Sequence, residues 1–284
     1  MIAIDQLRYV RLGVQDLAQA VDFAERILGL QLVERSEQSA CFRSDFRDHT
    51  LAFFVGDAAD RSIGLEIHGH DAFAAAIAEL KQHGIDVTAG TDGECAARKV
   101  RSFATFRDPC GNPIDLVLRP RHSGWRYFAA RDAGVKGLTG VALRAVDVPA
   151  CEGLWTKLFN GRVSDWVGDA SFLRFDQAHH CLAYYPSTVG GILAVEFAVE
   201  NVDLLMQSAY FLQSSQVKIV HGPGRRPTSN QIFLTFAGPE GTLFSFVTEG
   251  DDILDEAGHR PRQFPRMPSS FCAWGSESPL SEFS

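Results

Sequence analysis

Along the 284-residue chain, hydrophobic positions recur with the two-residue period of a strand in some segments and with the period of a helix in others. Residues 7–14 follow the two-residue period of a strand with one buried face. Asp16 is an N-cap candidate for a helix that runs to about Ile27, and Gly29 supplies the C′ glycine that ends it. Three short apolar stretches complete a βαβββ unit, near 31–36, 39–45 and 50–55.

The order of strand, helix and three strands recurs three more times. The second unit is predicted at 62–67, 71–83 (a helix that Gly84 ends), 86–89, 102–107 and 113–118. The third is predicted at 138–145, about 149–159 (a helix), 162–166, 171–175 and 181–185. The fourth is predicted at 191–199, 202–214 (a helix), 216–220, 230–236 and 243–248.

An internal repeat relates the first two units to the last two. Three segments of the first half recur at an offset of 130 or 131 positions: Leu7–Leu12 as Leu138–Leu143, His49–Phe53 as His180–Tyr184, and Asp108–Gly111 as Gly238–Gly241. Separate anchors at nearly one offset indicate a duplication. We therefore predict three parts of the chain: an N-terminal domain at 1–120, a C-terminal domain at 135–250, and a C-terminal extension at 251–284.

The composition argues against two classes of partner and sets the expected compartment. The 27 basic and 35 acidic side chains give a net charge of −8, whereas nucleic-acid binding requires clustered Lys and Arg. No stretch of about 18 apolar residues predicts a membrane span, and the N-terminus lacks the pattern of a signal peptide. The six cysteines form no Cys-x-x-Cys pair, so we expect reduced thiols in a cytoplasmic protein.

The repeat and its turns resemble a known superfamily. Residues 107–115 resemble the final strand of a βαβββ unit, entered by an Asp-Pro-x-Gly-Asn turn in which Pro and Gly set the backbone. This arrangement is similar to the vicinal oxygen chelate superfamily, which includes glyoxalases, bleomycin-resistance proteins and extradiol dioxygenases. The resemblance implies an α+β fold in which four βαβββ units form two tandem open barrels.

The second half is similar to the catalytic half of two-domain extradiol ring-cleavage dioxygenases. The segments that carry this resemblance are His179–Ala183, His221–Ser229 and Arg260–Gly275. The resemblance implies Fe(II) or Mn(II) held by two His and one carboxylate, with positions left open for a catechol and O2. It also implies a small aromatic or hydrophobic ligand, and assembly into a homo-oligomer to which the C-terminal extension is a candidate contributor.

The positions that the resemblance assigns to the metal ligands hold no such ligands here. Gly140 stands at the first His, Ala194 at the second, and Ser245 at the carboxylate. The corresponding residues of the first domain are Tyr9, Ser62 and Asp115. Because a metal site depends on the identity and number of its ligands, we expect no metal cofactor.

Other residues of the family's site are also replaced. Arg226 stands where the resemblance implies a His, Thr235 where it implies a Tyr, and His180 keeps the family's identity. The alternation of the fourth-unit strand directs Ala194, Glu196 and Ala198 towards the cavity.

We predict a metal-free cluster of His180, Glu196 and Arg226 that holds or activates a ligand. The alternative is an internal salt bridge that plugs the vacated site. Tyr184, Thr235 and Ser245 are candidate ligand contacts, in space that the loss of a metal and two imidazoles leaves empty.

Three hypotheses for function follow. In the first, the chain is a metal-free relative that binds or transforms a small aromatic or hydrophobic compound. The second is an active ring-cleavage dioxygenase with an atypical Fe(II) or Mn(II) site, for which the candidate ligands are His179, His180, His221 and Glu196. The third is an inactive protein that assembles with itself or with an active relative.

Overall fold

The computed structural model describes residues 1–284 as two sheets, of eight and nine strands, with helices on their outer faces. The first sheet contains β1 Gln6–Val14, β2 Gln31–Arg35, β3 Ser39–Arg43, β4 Leu51–Val55, β5 Arg61–Ile67, β6 Thr88–Ala89, β7 Val100–Arg107 and β8 Pro113–Pro120. The second contains β9 Val135–Ala145, β10 Arg162–Val167, β11 Ala170–Arg174, β12 Leu182–Pro186, β13 Gly191–Val199, β14 Ile219–Arg225, β15 Ile232–Ala237, β16 Leu243–Thr248 and β17 Arg262–Phe264.

Each sheet joins two units through their opening strands. In the first sheet β1 pairs antiparallel with β5, and each of them pairs in parallel with the last strand of its own unit, β4 or β8. The second sheet repeats this pattern with β9 and β13 at its centre. The predicted α+β fold of paired βαβββ units is therefore confirmed.

Six helices accompany the strands, and capping residues set several of their ends. They are α1 Leu17–Asp22 (continued by a π-helical turn, Phe23–Ile27), α2 His70–Gln82, α3 Asp92–Ala97, α4 Val148–Lys157, α5 Val202–Ser214 and α6 Pro268–Phe271. The Asp16 side chain accepts a hydrogen bond from the backbone N–H of Gln19, at 2.9 Å, as an N-cap does. Gly29 follows the π-helical turn with a φ of 76°, which a glycine adopts without strain. No helix has the length and hydrophobicity of a membrane span.

Within the four predicted units, two elements differ from the sequence-based prediction, and β17 and α6 of the extension were not predicted. Helix α3 was not predicted, although Thr91 and Glu94 form a capping box that starts it. Strand β14 extends to Arg225 through a stretch that resembles a loop, because Pro and two Gly residues there are accommodated by irregular pairing with β15.

The C-terminal extension folds back onto the second sheet. Strand β17 pairs in parallel with β10 at the sheet edge, and Asp165 accepts hydrogen bonds from the backbone and side chain of Arg262. Helix α6 then brings Phe271 against Tyr185, and the last residues bring Phe283 there as well. The extension therefore covers the open side of the second barrel.

A buried hydrogen-bond network joins the two barrels. The hydroxyl of Tyr184 donates to Asp108 Oδ2 at 3.0 Å and accepts from Trp155 Nε1 at 2.8 Å. Asp108 lies in the turn that opens β8, whereas Tyr184 and Trp155 lie in β12 and α4. All three residues are buried, so each polar group depends on these partners.

The substitution Tyr184→Phe should lower the free energy of unfolding by about 1–3 kcal/mol, because it leaves the Trp155 indole N–H buried without an acceptor. Urea unfolding measures the loss. Tyr210→Phe is the matched control, since Tyr210 is 77% exposed. Equal stability of the two variants would contradict this role for the network.

Candidate functional site

The site predicted from the sequence lies on the concave face of the second sheet, where β9, β13 and β16 run side by side. Glu196 pairs with Gly140 on one neighbouring strand and with Ser245 on the other. Three side chains can share one ion when they stand in such a cross-strand row. Gly140, Glu196 and Ser245 therefore form one such row.

Ala194, which the resemblance assigns to the second His, lies outside this row. Ala194 pairs with Ala142 and Leu243, one inward-facing position further along. If the antiparallel pairing of β13 with β9 continued without irregularity from Val199 and Val135, Ala194 would lie opposite Gly140. Two irregularities between β9 and β13 place Glu196 there instead.

In the first barrel the three residues at the corresponding positions come together, because Tyr9 and Ser62 both donate to Asp115 Oδ2. Gly64 pairs with both Tyr9 and Asp115, whereas Ser62 pairs with Arg11. The row in the first barrel is therefore Tyr9, Gly64 and Asp115, with Ser62 one inward-facing position away.

Glu196 fills the space above Gly140. A Cβ atom placed on Gly140 would lie 3.0 Å from Glu196 Oε2. Any larger side chain at position 140 would therefore displace the carboxylate. Glu196 is 4% exposed, and a carboxylate this deeply buried requires a partner.

Arg226 is that partner. Its Nη2 donates to Glu196 Oε1 at 2.5 Å, and its Nη1 donates to Gln231 Oε1 at 2.5 Å. The guanidinium lies 5.1 Å from the centre of the Phe233 ring, within cation–π range. Burial alone would lower the pKa of Arg226, but the Glu196 carboxylate raises it above the ordinary value. The Arg226 guanidinium is therefore charged, and neighbours hold it on several sides.

His180 joins this pair from the loop before β12. Its Nε2 lies 3.4 Å from Arg226 Nη1 and 3.8 Å from Glu196 Oε2. Burial, with the nearby His179 and Arg226, lowers the pKa of His180 well below the usual value for histidine. His180 is therefore a neutral imidazole, and its Nε2 accepts from the guanidinium because Arg has only donors.

A chain of hydrogen bonds continues from His180 to Asp165. With Nε2 as an acceptor, His180 carries its proton on Nδ1 and donates it to Nδ1 of His179, 3.0 Å away. His179 then donates from Nε2 to Asp165 Oδ2 at 3.0 Å. Burial raises the pKa of Asp165, but hydrogen bonds from His179 and Arg262 bring it below the ordinary value. Asp165 was not predicted from the sequence, because it is an ordinary acidic residue on a strand.

The structure brings together two of the three predicted ligand contacts. Thr235 lines the cavity beside Arg226, and its hydroxyl oxygen lies 2.8 Å from that of Ser245. Tyr184 lies on the opposite face of β12, in the network between the barrels. The adjacent Tyr185 faces the cavity instead, and burial raises the pKa of its hydroxyl to about 12.

The interior of the second barrel is nearly full. The cavity beside Arg226 measures about 10 Å³, which is room for about one water molecule. Its walls include two aromatic rings of the C-terminal extension as well as residues of the barrel: Phe172, Tyr185, His221, Thr235, Phe271 and Phe283. We call the open side of the second barrel the cup. Phe271 and Phe283 pack into the cup, so the prediction of empty space at the positions of the metal and the two imidazoles was wrong.

A second, larger space lies on the outer side of the His pair. This outer cleft has a volume of about 450 Å³, and its lining includes His179, His180, Ser229, Gln231, Glu249 and Asp251. His180 therefore stands between the outer cleft and the buried ion pair. The outer cleft was not predicted, since it is formed by loops that meet only in the folded chain.

The first barrel contains a similar closed cluster. Asp115 Oδ2 accepts hydrogen bonds from Tyr9, Ser62 and Arg98, each at 2.9 Å, and Oδ1 accepts one from Thr105 at 2.6 Å. The ring of Tyr9 covers Gly64, where an added Cβ would lie 2.5 Å from the ring. The carboxylate has no room for a further ligand.

Comparison with known proteins identifies the family. The sequence model of the glyoxalase/bleomycin resistance protein/dioxygenase superfamily matches residues 6–116. A biphenyl-2,3-diol 1,2-dioxygenase of Metapseudomonas furukawaii is 31% identical over 229 residues, which cover 71% of this chain and 76% of that protein. An iron-dependent extradiol dioxygenase of Rhodococcus jostii is 26% identical over 282 residues, 90% of this chain and 93% of that protein. The chain belongs to the glyoxalase/bleomycin resistance/dioxygenase superfamily and is an extradiol dioxygenase-like protein.

A solved structure supports the fold. A halotolerant catechol dioxygenase superposes with a TM-score of 0.88 at 20% identity, covering 100% of this chain and 98% of that one. The family and fold predicted from the sequence are therefore confirmed.

The residues of the second barrel do not suit the metal that these relatives imply. Gly140 has no side chain, Ser245 offers a neutral hydroxyl that contacts Thr235, and the Glu196 carboxylate already holds Arg226. His221 Nε2 donates to the carbonyl of Ser276, away from the ion pair. No group of three His, Cys, Asp or Glu side chains is arranged to hold a metal ion.

The stability of the protein should fall as the pH drops below about 6.5, the ordinary pKa of histidine. Burial is the main cause that lowers the pKa of His49 to about 3, that of His221 to about 4, and that of His180 well below normal. Below 6.5 the unfolded chain therefore binds protons that the folded chain does not bind. Each of these histidines costs up to about 1.4 kcal/mol per pH unit in that window.

Urea unfolding between about pH 7 and pH 5 measures this slope. The variant His221→Gln should show a shallower slope than the wild type, since one buried imidazole is removed. His70→Gln is the control, because His70 is exposed. A flat stability over this range would show that the histidines are not buried in neutral form.

Proposed function

We propose that this chain is a metal-independent relative of the extradiol dioxygenases that binds a small aromatic compound beside His180 and Arg226. The observation that carries the proposal is the ion pair of Glu196 and Arg226 beside Gly140 and Ser245, two positions that the resemblance assigns to metal ligands. It places a guanidinium and a neutral imidazole where the relatives' chemistry would lie. Phenols and aryl carboxylates are ligands that such a pair recognises.

The residues of the site suggest how an acidic hydroxyl would be held. His180 Nε2 accepts only a long hydrogen bond from Arg226, so a phenolic hydroxyl can replace the guanidinium as its donor. The oxygen of that hydroxyl accepts a hydrogen bond from Arg226, and the chain through His179 to Asp165 fixes the tautomer in which His180 Nε2 is the acceptor. Phe172 and Tyr185 supply the aromatic walls.

The nearly full cup limits where the ring of such a compound can lie. Phe271 and Phe283 of the C-terminal extension occupy the space between Tyr185 and His221. The ligand therefore enters from the outer cleft, or the two rings move aside for it. The same observation favours a second candidate function, an inactive protein whose closed cup serves only the stability of an assembly.

The proposal is tested by metal analysis and by ligand-induced stabilisation. The protein purified without added iron should contain less than about one-tenth equivalent of Fe or Mn, because no set of ligands is available. A panel of catechols, phenols and aryl carboxylates should raise the Tm of the wild type. Stoichiometric iron with ring cleavage would contradict metal independence.

Arg226→Met should weaken binding of any stabilising compound about tenfold or more, since a charge-assisted hydrogen bond is worth about 1.5–3 kcal/mol. Arg226→Lys retains the charge and should recover part of the affinity. Arg225→Met is the matched control, because the neighbouring Arg225 binds Glu249 outside the cup. Equal affinities of the Arg226→Met and Arg225→Met variants would contradict the assigned site.

The two candidate functions predict different behaviour of Phe283→Ala. Removing this ring opens the cup and destabilises the protein by about 3–5 kcal/mol. If the wild type binds aromatic compounds, the variant and the wild type should both be stabilised by them. Stabilisation of the variant alone would show that the native cup is closed, and light scattering would then test for assembly. Leu254→Ala in the exposed part of the extension is the control.

A further inference from the structure

Two cysteines of different barrels face each other outside the site described above. The sulfur atoms of Cys110 and Cys151 lie 3.2 Å apart, although the two residues are 41 positions apart in the chain. Cys110 belongs to the turn that opens β8 of the first barrel, and Cys151 lies in α4 of the second. Both are free thiols in this structure.

The surroundings hold the Cys110 sulfur in place. The Cys110 sulfur lies 3.4 Å from the backbone N–H of Asp147, which donates to it, and 3.6 Å from the carbonyl of the same residue. The backbone N–H of Cys110 donates to Asp108 Oδ1 at 2.9 Å. Asp108 is in turn fixed by Tyr184 of the second barrel. The turn and the helix therefore have little freedom to separate.

We propose that Cys110 and Cys151 form a redox-active thiol pair that closes into a disulfide between the two barrels. The oxidant is a hydroperoxide. It transfers one oxygen atom to the Cys110 sulfur, giving a sulfenic acid and releasing water from hydrogen peroxide or an alcohol from an organic peroxide. The Cys151 sulfur then bonds to the Cys110 sulfur, the sulfur–oxygen bond breaks, and the hydroxyl leaves with the Cys151 proton as water.

Exposure and acidity set the order of these two steps. Cys110 is partly exposed, whereas Cys151 is fully buried. Burial, together with the nearby Asp108 and Cys110, raises the pKa of the Cys151 thiol. Since the thiolate reacts with peroxide, Cys110 is oxidised first and Cys151 resolves it. The sulfurs must approach from 3.2 Å to the bond length of about 2.05 Å, which needs side-chain rotation and a small backbone shift.

The disulfide would change how the barrels are joined. It would close a loop across the linker that connects them, and so restrict the unfolded chain. It lies beside the network of Tyr184, Asp108 and Trp155, on the side of β12 away from the cup. The modification therefore acts on the contact between the barrels and does not depend on the proposed ligand site.

The experiment treats the reduced full-length protein with hydrogen peroxide and removes the excess with catalase. Thiol titration under denaturing conditions should fall from six groups to four, with the intact mass lower by two hydrogen atoms. Peptide mapping without reduction should show Cys110 linked to Cys151, and the oxidised protein should have a higher Tm. Dithiothreitol should restore all six thiols.

Cys110→Ser and Cys151→Ser should both abolish the crosslink, and Cys151→Ser should accumulate the sulfenic acid at Cys110, detected with dimedone. Cys41→Ser is the matched control and should leave the crosslink unchanged, because Cys41 is buried in the first barrel. Peptide mapping of the wild type decides the question even where a variant folds poorly. Oxidation of Cys110 to sulfinic acid beside a free Cys151 thiol would overturn the proposal.

Discussion

A buried carboxylate at the centre of each barrel requires a cation beside it, and this requirement organises both halves of the chain. In the second barrel Glu196 is neutralised by Arg226, and in the first Asp115 is neutralised by Arg98. An unpaired carboxylate in either place would carry a desolvation penalty of several kcal/mol. The strands and loops that deliver the two arginines are thus part of the core and not of the surface.

The duplication is visible in the chemistry of these centres as well as in the fold. Each arginine lies over a phenylalanine of the strand that precedes the last one, Phe103 or Phe233. Each barrel also has one large side chain that covers a glycine of the central row, Tyr9 over Gly64 or Glu196 over Gly140. In the first barrel the covering residue comes from the first of the two central strands, β1, whereas in the second barrel it comes from the second, β13. The similarity arises because in each barrel the space above the glycine must be filled and the buried carboxylate must be paired with a cation.

The sequence predicts the units of the fold well, because each unit is defined by local periodicity and by turn residues. It also predicts that Glu196, Arg226 and His180 meet. It does not predict that Glu196, and not Ala194, lies opposite Gly140, because irregular pairing between β9 and β13 shifts the register by two residues. His180 and Tyr184 would face the same side if one regular strand contained both. Regular pairing of β12 begins only at Leu182, so Tyr184 points away from the cup although His180 faces the ion pair. Phe283 packs into the cup against residues that are distant in the chain, so no local sequence pattern predicts this contact.

The Glu196 carboxylate of the ion pair occupies the space beside position 140, which the resemblance assigns to the first metal-binding His. An imidazole at position 140 would meet the Glu196 carboxylate, whose Oε2 already lies 3.0 Å from the place of a Cβ there. Moving Glu196 aside would leave Arg226 without its anion inside the barrel. Exchange of one arrangement for the other therefore requires coupled changes on β9, β13 and the loop of Arg226, whose energies cannot be additive.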